Sequence, residues 1–269
     1  MTVELTAPAL DSGAAGRAVH SLVALGDSTT VGIGDRVSGG WRGFAPLLAA
    51  GLGAQLHNLS FQGARMRCVR ERQLPLALAC RPDAAVLVVG MNDTLRSDFD
   101  AQAIRDDLDE VVGSLTAAGT VVLTARYHDH ARVFRIPGPL ARALRARIAE
   151  VNAVTDEVVA RHRIGCLDLD ALPGAYELPA WSVDRLHPSE LGHRMLARGF
   201  GDLLAAAGCQ LPEPVSMTCA GGVKITPLHH VGWLVFKGLP WLWRRSSDLL
   251  PYAAQIIWRD LRQRRRGGE

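Results

Sequence analysis

Ser28 stands in the block Gly26-Asp27-Ser28, directly after the apolar run of residues 21–25. A hydroxyl there could act as a nucleophile if a base removes its proton and a carboxylate orients that base. Asp184 and His187 lie three residues apart and offer such a pair locally. Pro188 disfavours helical backbone at His187, so a loop can aim both side chains at one point. Asn92 follows Gly90-Met91 after another apolar run, and its amide could donate to a developing oxyanion. Gly63 sits in a fourth block, residues 58–65, where a glycine lets its backbone N–H approach a substrate closely. Each block alone also has an ordinary reading. Gly-Asp-Ser makes turns and helix caps, Asp-x-x-His is as readily a surface pair, Asn92 suits an Asx-turn, and Gly63 suits a plain turn.

These residues need a scaffold that brings four distant loops together. Short apolar runs occur at 21–25, 54–59, 84–89, 120–124 and 164–169, and stretches of helical spacing lie between or after them at 41–53, 100–119, 138–162 and 189–208. Strands alternating with helices imply an α/β fold, a parallel sheet with helices on both faces. The expectation is a three-layer α/β/α sandwich with about five parallel strands. Such sheets carry their sites at the carboxyl ends of the strands, where Ser28 and Asn92 would fall. Residues 1–19 read as a leader, 20–210 as the catalytic domain, and 211–269 as a helical extension.

Taken together, the four blocks resemble the SGNH hydrolase family, also called GDSL esterases. That family carries Ser in Gly-Asp-Ser, a Gly, Asn in Gly-x-Asn-Asp, and His in Asp-x-x-His. Here the blocks stand in family order over about residues 20–208. The resemblance implies a flavodoxin-like SGNH fold, with Ser28 as nucleophile, His187 as base and Asp184 as its orienting carboxylate. It implies an oxyanion hole from the backbone N–H groups of Ser28 and Gly63 and the amide of Asn92. It also implies no cofactor and no metal, and a small-molecule acyl ester of a lipid, sugar or small acid as substrate. Two alternatives stay open: an acyltransferase using the same triad, and a scaffold protein whose tail is the functional part.

Composition sets the remaining bounds. The net charge of +3 over 269 residues is too small to imply nucleic-acid binding. Residues 211–269, however, hold nine Lys/Arg against four Asp/Glu, a surplus of five positive charges on a mildly acidic body. Four of the six tryptophans (Trp233, Trp241, Trp243, Trp258) fall in that tail. Three readings follow: the tail packs on the catalytic domain, it makes membrane-interface or substrate-side contact through Trp and Arg, or it is a helix that meets a protein partner. Packing is the favoured one.

Five scattered cysteines without a CxxC pair read as reduced thiols, mostly in the core. The first twenty residues do not read as a signal peptide, and no stretch reads as a membrane span, so a cytoplasmic protein, with membrane association through the tail as the variant, is expected. His128, Asp129 and His130 lack further ligands for a metal and read as a rim or solvated loop. Arg65, Arg67, Arg70 and Arg72 read mostly as a solvated helix face, with substrate contact a further reading for Arg65, two residues beyond Gly63.

Overall fold

Five apolar segments pair side by side in one direction. The computed structural model describes residues 16–134, 138–222 and Trp258. In chain order the strands are β1 (Ser21–Gly26), the two-residue β2 (Arg36–Val37) and β3 (Gly40–Trp41), β4 (Gln55–Asn58), β5 (Ala84–Val88), β6 (Val121–Arg126) and β7 (Gly165–Asp168). β2 and β3 form a small antiparallel hairpin; the others make one parallel sheet in the order β4-β1-β5-β6-β7. β5 is buried at every residue, as a central parallel strand covered on both faces must be.

The helices are α1 (Ser28–Val31), α2 (Phe44–Leu52), α3 (Met66–Cys68), α4 (Leu74–Cys80), α5 (Met91–Thr94), α6 (Ala101–Ala117), α7 (His130–Phe134), α8 (Gly138–His162) and α9 (Glu190–Ala206). One layer pairs α2 with α9, and the other packs α4 and α8 against α6. Phe44 and Phe200, both fully buried, meet at 5.5 Å between ring centroids in the first layer. The ends are set by local chemistry. Asp100 caps α6 by accepting from the N–H groups of Gln102 and Ala103 at 2.9 and 3.2 Å. Ser189 caps α9 through the N–H of Gly192, just after Pro188.

This order places a topological switch point at β1. The chain leaves β1 through α2 to β4 on one side, then returns across it through α3 and α4 to β5 on the other. Loops that leave the carboxyl ends of β1 and β5 therefore part and leave a crevice. The three-layer α/β/α arrangement with five parallel strands agrees with the sequence reading.

Both flanks of the sheet unit are tied to it. The Arg17 N–H donates to the Gly208 carbonyl and the Arg17 carbonyl accepts from the Gln210 N–H, on either side of Cys209, and Val19, within the stretch read as leader, is buried in the core. Beyond α9, the Glu213 N–H donates to the Gly51 carbonyl, and Arg194, Arg198 and Arg42 donate to the carbonyls of Ser216, Val215 and Ala220. The stretch 211–222 thus lies along α2 and α9. The rest of the tail, apart from Trp258, and residues 1–15 lie outside the described residues, so the readings of the tail do too. Among the described residues, no helix is long and apolar enough to cross a membrane. The thiols are less interior than expected: Cys209 alone is buried, Cys219 is exposed, and Cys68, Cys80 and Cys166 are half-buried.

Candidate active site

β1 ends in a glycine that no other residue could replace without a shift. Gly26 has φ +143°, and a Cβ there would lie 2.1 Å from the Val88 carbonyl oxygen. Its pairing toward β4 has already ended, since the β1–β4 register stops at Ala24. Gln73 takes the place of the missing strand. Its Oε1 accepts from the Gly26 N–H at 2.8 Å, and its Nε2 donates to the Gly26 carbonyl at 2.9 Å. The buried peptide is thereby satisfied on both sides. Asp27 then caps α1, accepting from the Thr29 N–H at 2.9 Å, and Ser28 is the first helical residue.

The turn 182–187 brings the second half of the site. One carboxylate oxygen of Asp184 accepts from the Ser182 hydroxyl at 2.6 Å and from the N–H groups of Leu186 and His187 at 2.9 Å each. The other accepts from His187 Nδ1 at 2.6 Å. A carboxylate oxygen only accepts, so Nδ1 carries the proton and Nε2 is free to accept. His187 Nε2 lies 2.8 Å from Ser28 Oγ, across 159 residues of chain. Burial pushes the Asp184 carboxyl up, but the hydrogen bond and charge of His187, with the bonds from Ser182 and the His187 N–H, outweigh it and hold it at about 2.

Asn92 sits at the start of α5, after Gly90 ends the β5 loop with φ +127°. Its amide donates to the Ala64 carbonyl at 3.0 Å and to Asp27 at 3.3 Å. It therefore bridges the residue after Gly63 and the residue before Ser28. Gly63 itself is exposed with φ +75° and open space where a Cβ would lie. The sequence-expected residues are thus brought to one crevice: Ser28, His187 and Asp184 by direct bonds, Asn92 and Gly63 through their neighbours.

Several side chains that hold this arrangement were not legible in the blocks. Asp93, buried beside Asn92, accepts from Arg65 Nε and the Met66 N–H, both at 3.1 Å. Arg65 also reaches Asp98 at 2.8 Å, so it is a tether between two loops rather than part of a solvated face. Asp93 follows Asn92 directly, the one sequence signal for this role. Asp27 is raised to about 6, chiefly by burial and also by Asp93, against the Thr29 bonds and the charge of His187. His128 and His130 are 4% and 2% exposed, which overturns the reading of a rim or solvated loop. They pack on Trp181 with ring centroids at 5.0 Å, since their chain leaves β6 inward under the turn 182–187. Among the described residues, no group of three or more His, Cys, Asp or Glu is placed to hold a metal ion. An apolar cavity of about 60 Å³ backs the site, with Thr29, Met91, Tyr127, Trp181 and Leu186 among its walls; neither Ser28, Asn92, Asp184 nor His187 lines it.

The sequence profile of the GDSL-like lipase/acylhydrolase family matches residues 24–195, a span that runs from β1 through the turn 182–187 into α9. The chain belongs to the GDSL-like lipase/acylhydrolase family. This GDSL-like protein is a carboxylic ester hydrolase, and small-molecule esters are its substrates. No curated protein sequence matches it. Solved structures share its fold. LAE5, an α/β hydrolase enzyme from the metagenome of Lake Arreo, aligns with TM-score 0.58 at 22% identity over 71% of this chain and 97% of that one. Axe2, an acetylxylan esterase from Geobacillus stearothermophilus, gives 0.57 at 21% identity over 71% and 95%. TesA gives 0.56 at 21% over 69% and 98%.

Proposed function

We propose that this GDSL-like hydrolase cleaves acyl esters through an acyl-enzyme on Ser28. The observation that carries the reading is the continuous chain Asp184–His187–Ser28, with contacts of 2.6 and 2.8 Å. Ser28 Oγ attacks the ester carbonyl while its proton passes to His187 Nε2. Asp184 holds the Nδ1–H tautomer and stabilises the imidazolium that forms. The proton then goes to the departing alcohol oxygen, and the acyl group stays on Oγ. Water, deprotonated by His187, attacks the acyl carbon; the bond to Ser28 Oγ breaks, Oγ takes the proton back from His187 Nε2, and the acid is released. The oxyanion formed in each step is met by the N–H groups of Ser28 and Gly63 and by the Asn92 amide. At rest that amide leans on the Ala64 carbonyl and Asp27, so the Asn92 loop is tied to the residues next to both other donors.

We assign this activity to residues 20–210, with 1–19 as a leader and 211–269 as an extension that packs on the domain. The bond from the Glu213 N–H to the Gly51 carbonyl, and those from Arg194 and Arg198 to the carbonyls of Ser216 and Val215, support packing for its first part. A cytoplasmic location remains part of the proposal. The test is a fluorophosphonate probe, which labels an activated serine. One adduct at Ser28, absent in Ser28→Ala, together with ester turnover lost in that variant, supports the reading. An adduct elsewhere on active protein, or turnover that survives Ser28→Ala, overturns it.

A further inference from the structure

The turn that carries Asp184 and His187 satisfies most of its own polar groups. Ser182 N–H donates to the His187 carbonyl at 2.9 Å, Arg185 N–H donates to the Ser182 carbonyl at 3.0 Å, and the Leu186 and His187 N–H groups rest on Asp184. The Arg185 carbonyl instead reaches out of the turn. It accepts from His130 Nε2, in α7, at 3.0 Å and across 55 residues of chain. Arg185 is also one of three non-glycine residues with positive φ among the described residues, at +53°. A side chain in that region favours other backbone shapes, so the turn needs an outside hold to stay in this one.

His130 is built for that single task. A carbonyl only accepts, so His130 Nε2 must carry a proton. The ring's Nδ1 lies 2.9 Å from His128 Nε2. In a neutral ring Nδ1 is bare, and it takes the proton of His128 Nε2–H. The chain His128→His130→Arg185 carbonyl thus runs in one direction with each tautomer determined. Aromatic rings fix the plane: Phe134 and Trp181 meet His130 edge-on at 4.3 and 5.0 Å. Burial, first, and the neighbouring His128 keep His130 well below the usual imidazole range, so it stays neutral beside the working pair. A charged ring there would compete with His187 for the Asp184 carboxylate.

We propose that His130, oriented by His128, is a positioning residue: by holding the Arg185 carbonyl it sets the turn 182–187 so that His187 Nε2 meets Ser28 Oγ. It touches neither substrate nor reacting atoms. The proposal rests on the triad reading above, and it extends the hold on the base beyond Asp184 to a second, buried histidine pair on another element. Loss of that hold lets the imidazole drift from its 2.8 Å contact, and a displacement near 1 Å costs about 100-fold in rate.

The experiment compares wild type with His130→Leu, His130→Asn and His130→Gln, in the full chain. A glutamine amide reaches about where Nε2 stands and can still donate to the Arg185 carbonyl. An asparagine amide stops near Nδ1 and cannot. Steady-state kinetics on one ester and the rate of Ser28 labelling by a fluorophosphonate are read together, with folding checked by circular dichroism. The expected result is a kcat and a labelling rate about 10- to 100-fold lower in the Leu and Asn variants, with KM within about twofold. Gln should recover most of the loss. If the Leu variant does not fold, the contrast between Gln and Asn, both polar, decides. Equal losses in Gln and Asn, or wild-type labelling in both, overturns the proposal. The triad reading fails separately, when wild type is not labelled at Ser28.

Discussion

Replacing Asp184 by asparagine should leave the turn standing and stop the chemistry. The acceptor oxygen that serves Ser182, Leu186 and His187 has a counterpart in the amide oxygen, so those three bonds can persist. The other oxygen, 2.6 Å from His187 Nδ1, becomes an NH2 group that can only donate. His187 must then present a bare Nδ1 and carry its proton on Nε2, facing Ser28 Oγ at 2.8 Å. In that tautomer the ring cannot accept the serine proton. A wrong-tautomer substitution of this type lowers kcat by about 10,000-fold, which is about 5 kcal/mol of transition-state stabilisation.

The same structure gives a stability contrast. Asp184 is held at about 2, below its ordinary 3.8, so ionised Asp184 contributes about 2 kcal/mol that is present above pH 3.8 and lost as pH falls toward 2. Asp184→Ala removes the acceptor of all three turn donors as well and should melt lower than Asp184→Asn. The assays are kcat and KM on one ester and thermal unfolding of both variants at pH 7. Turnover of Asp184→Asn within about tenfold of wild type would refute the tautomer argument. Equal melting of the two variants would refute the account of the turn.

Three further outcomes follow from the site. Asn92→Ala should lower kcat by about 100- to 1,000-fold with little change in KM, because its amide matters most when charge develops on the carbonyl oxygen; a change in KM alone would make it a substrate-binding or turn residue. Gln73→Leu should destabilise the protein by about 2–5 kcal/mol in urea titration, since it strips both partners from the buried Gly26 peptide; an unchanged midpoint would refute the strand-substitute role. Stability should fall between pH 7 and 4. Burial holds His128 and His193 at about 4, so their contribution, about 3 kcal/mol each, is complete above the unfolded value near 6.5 and fades as pH drops. Buried His130, held well below the imidazole range, adds to the fall, while Asp27, raised to about 6 by burial, opposes it by about 3 kcal/mol as it takes up a proton. His193→Gln should flatten that fall measurably, and parallel curves would refute it.

The amino-acid sequence by itself determined the central strands of the sheet, because the runs at 84–89 and 21–25 are short and apolar, announce their own burial and need no distant partner to be read, whereas the edge strand β4, with its exposed and half-buried Gln55–Asn58, gives a weaker signal. It determined the chemical blocks for the same reason. Asp184 and His187 lie three residues apart, and Asp27 caps the helix that starts at Ser28, so these relations are local. What surrounds them was settled only by the tertiary structure. Gln73 reaches Gly26 across 47 residues, Asp93 reaches Arg65 across 28, and His130 reaches Arg185 across 55. A buried donor or acceptor must find a partner, yet any polar side chain within reach can supply it. The choice therefore depends on which elements the sheet order brings together. His128 and His130 show the consequence: a polar pair that reads as a surface loop is carried inward by its strand and becomes part of the wall behind the turn 182–187.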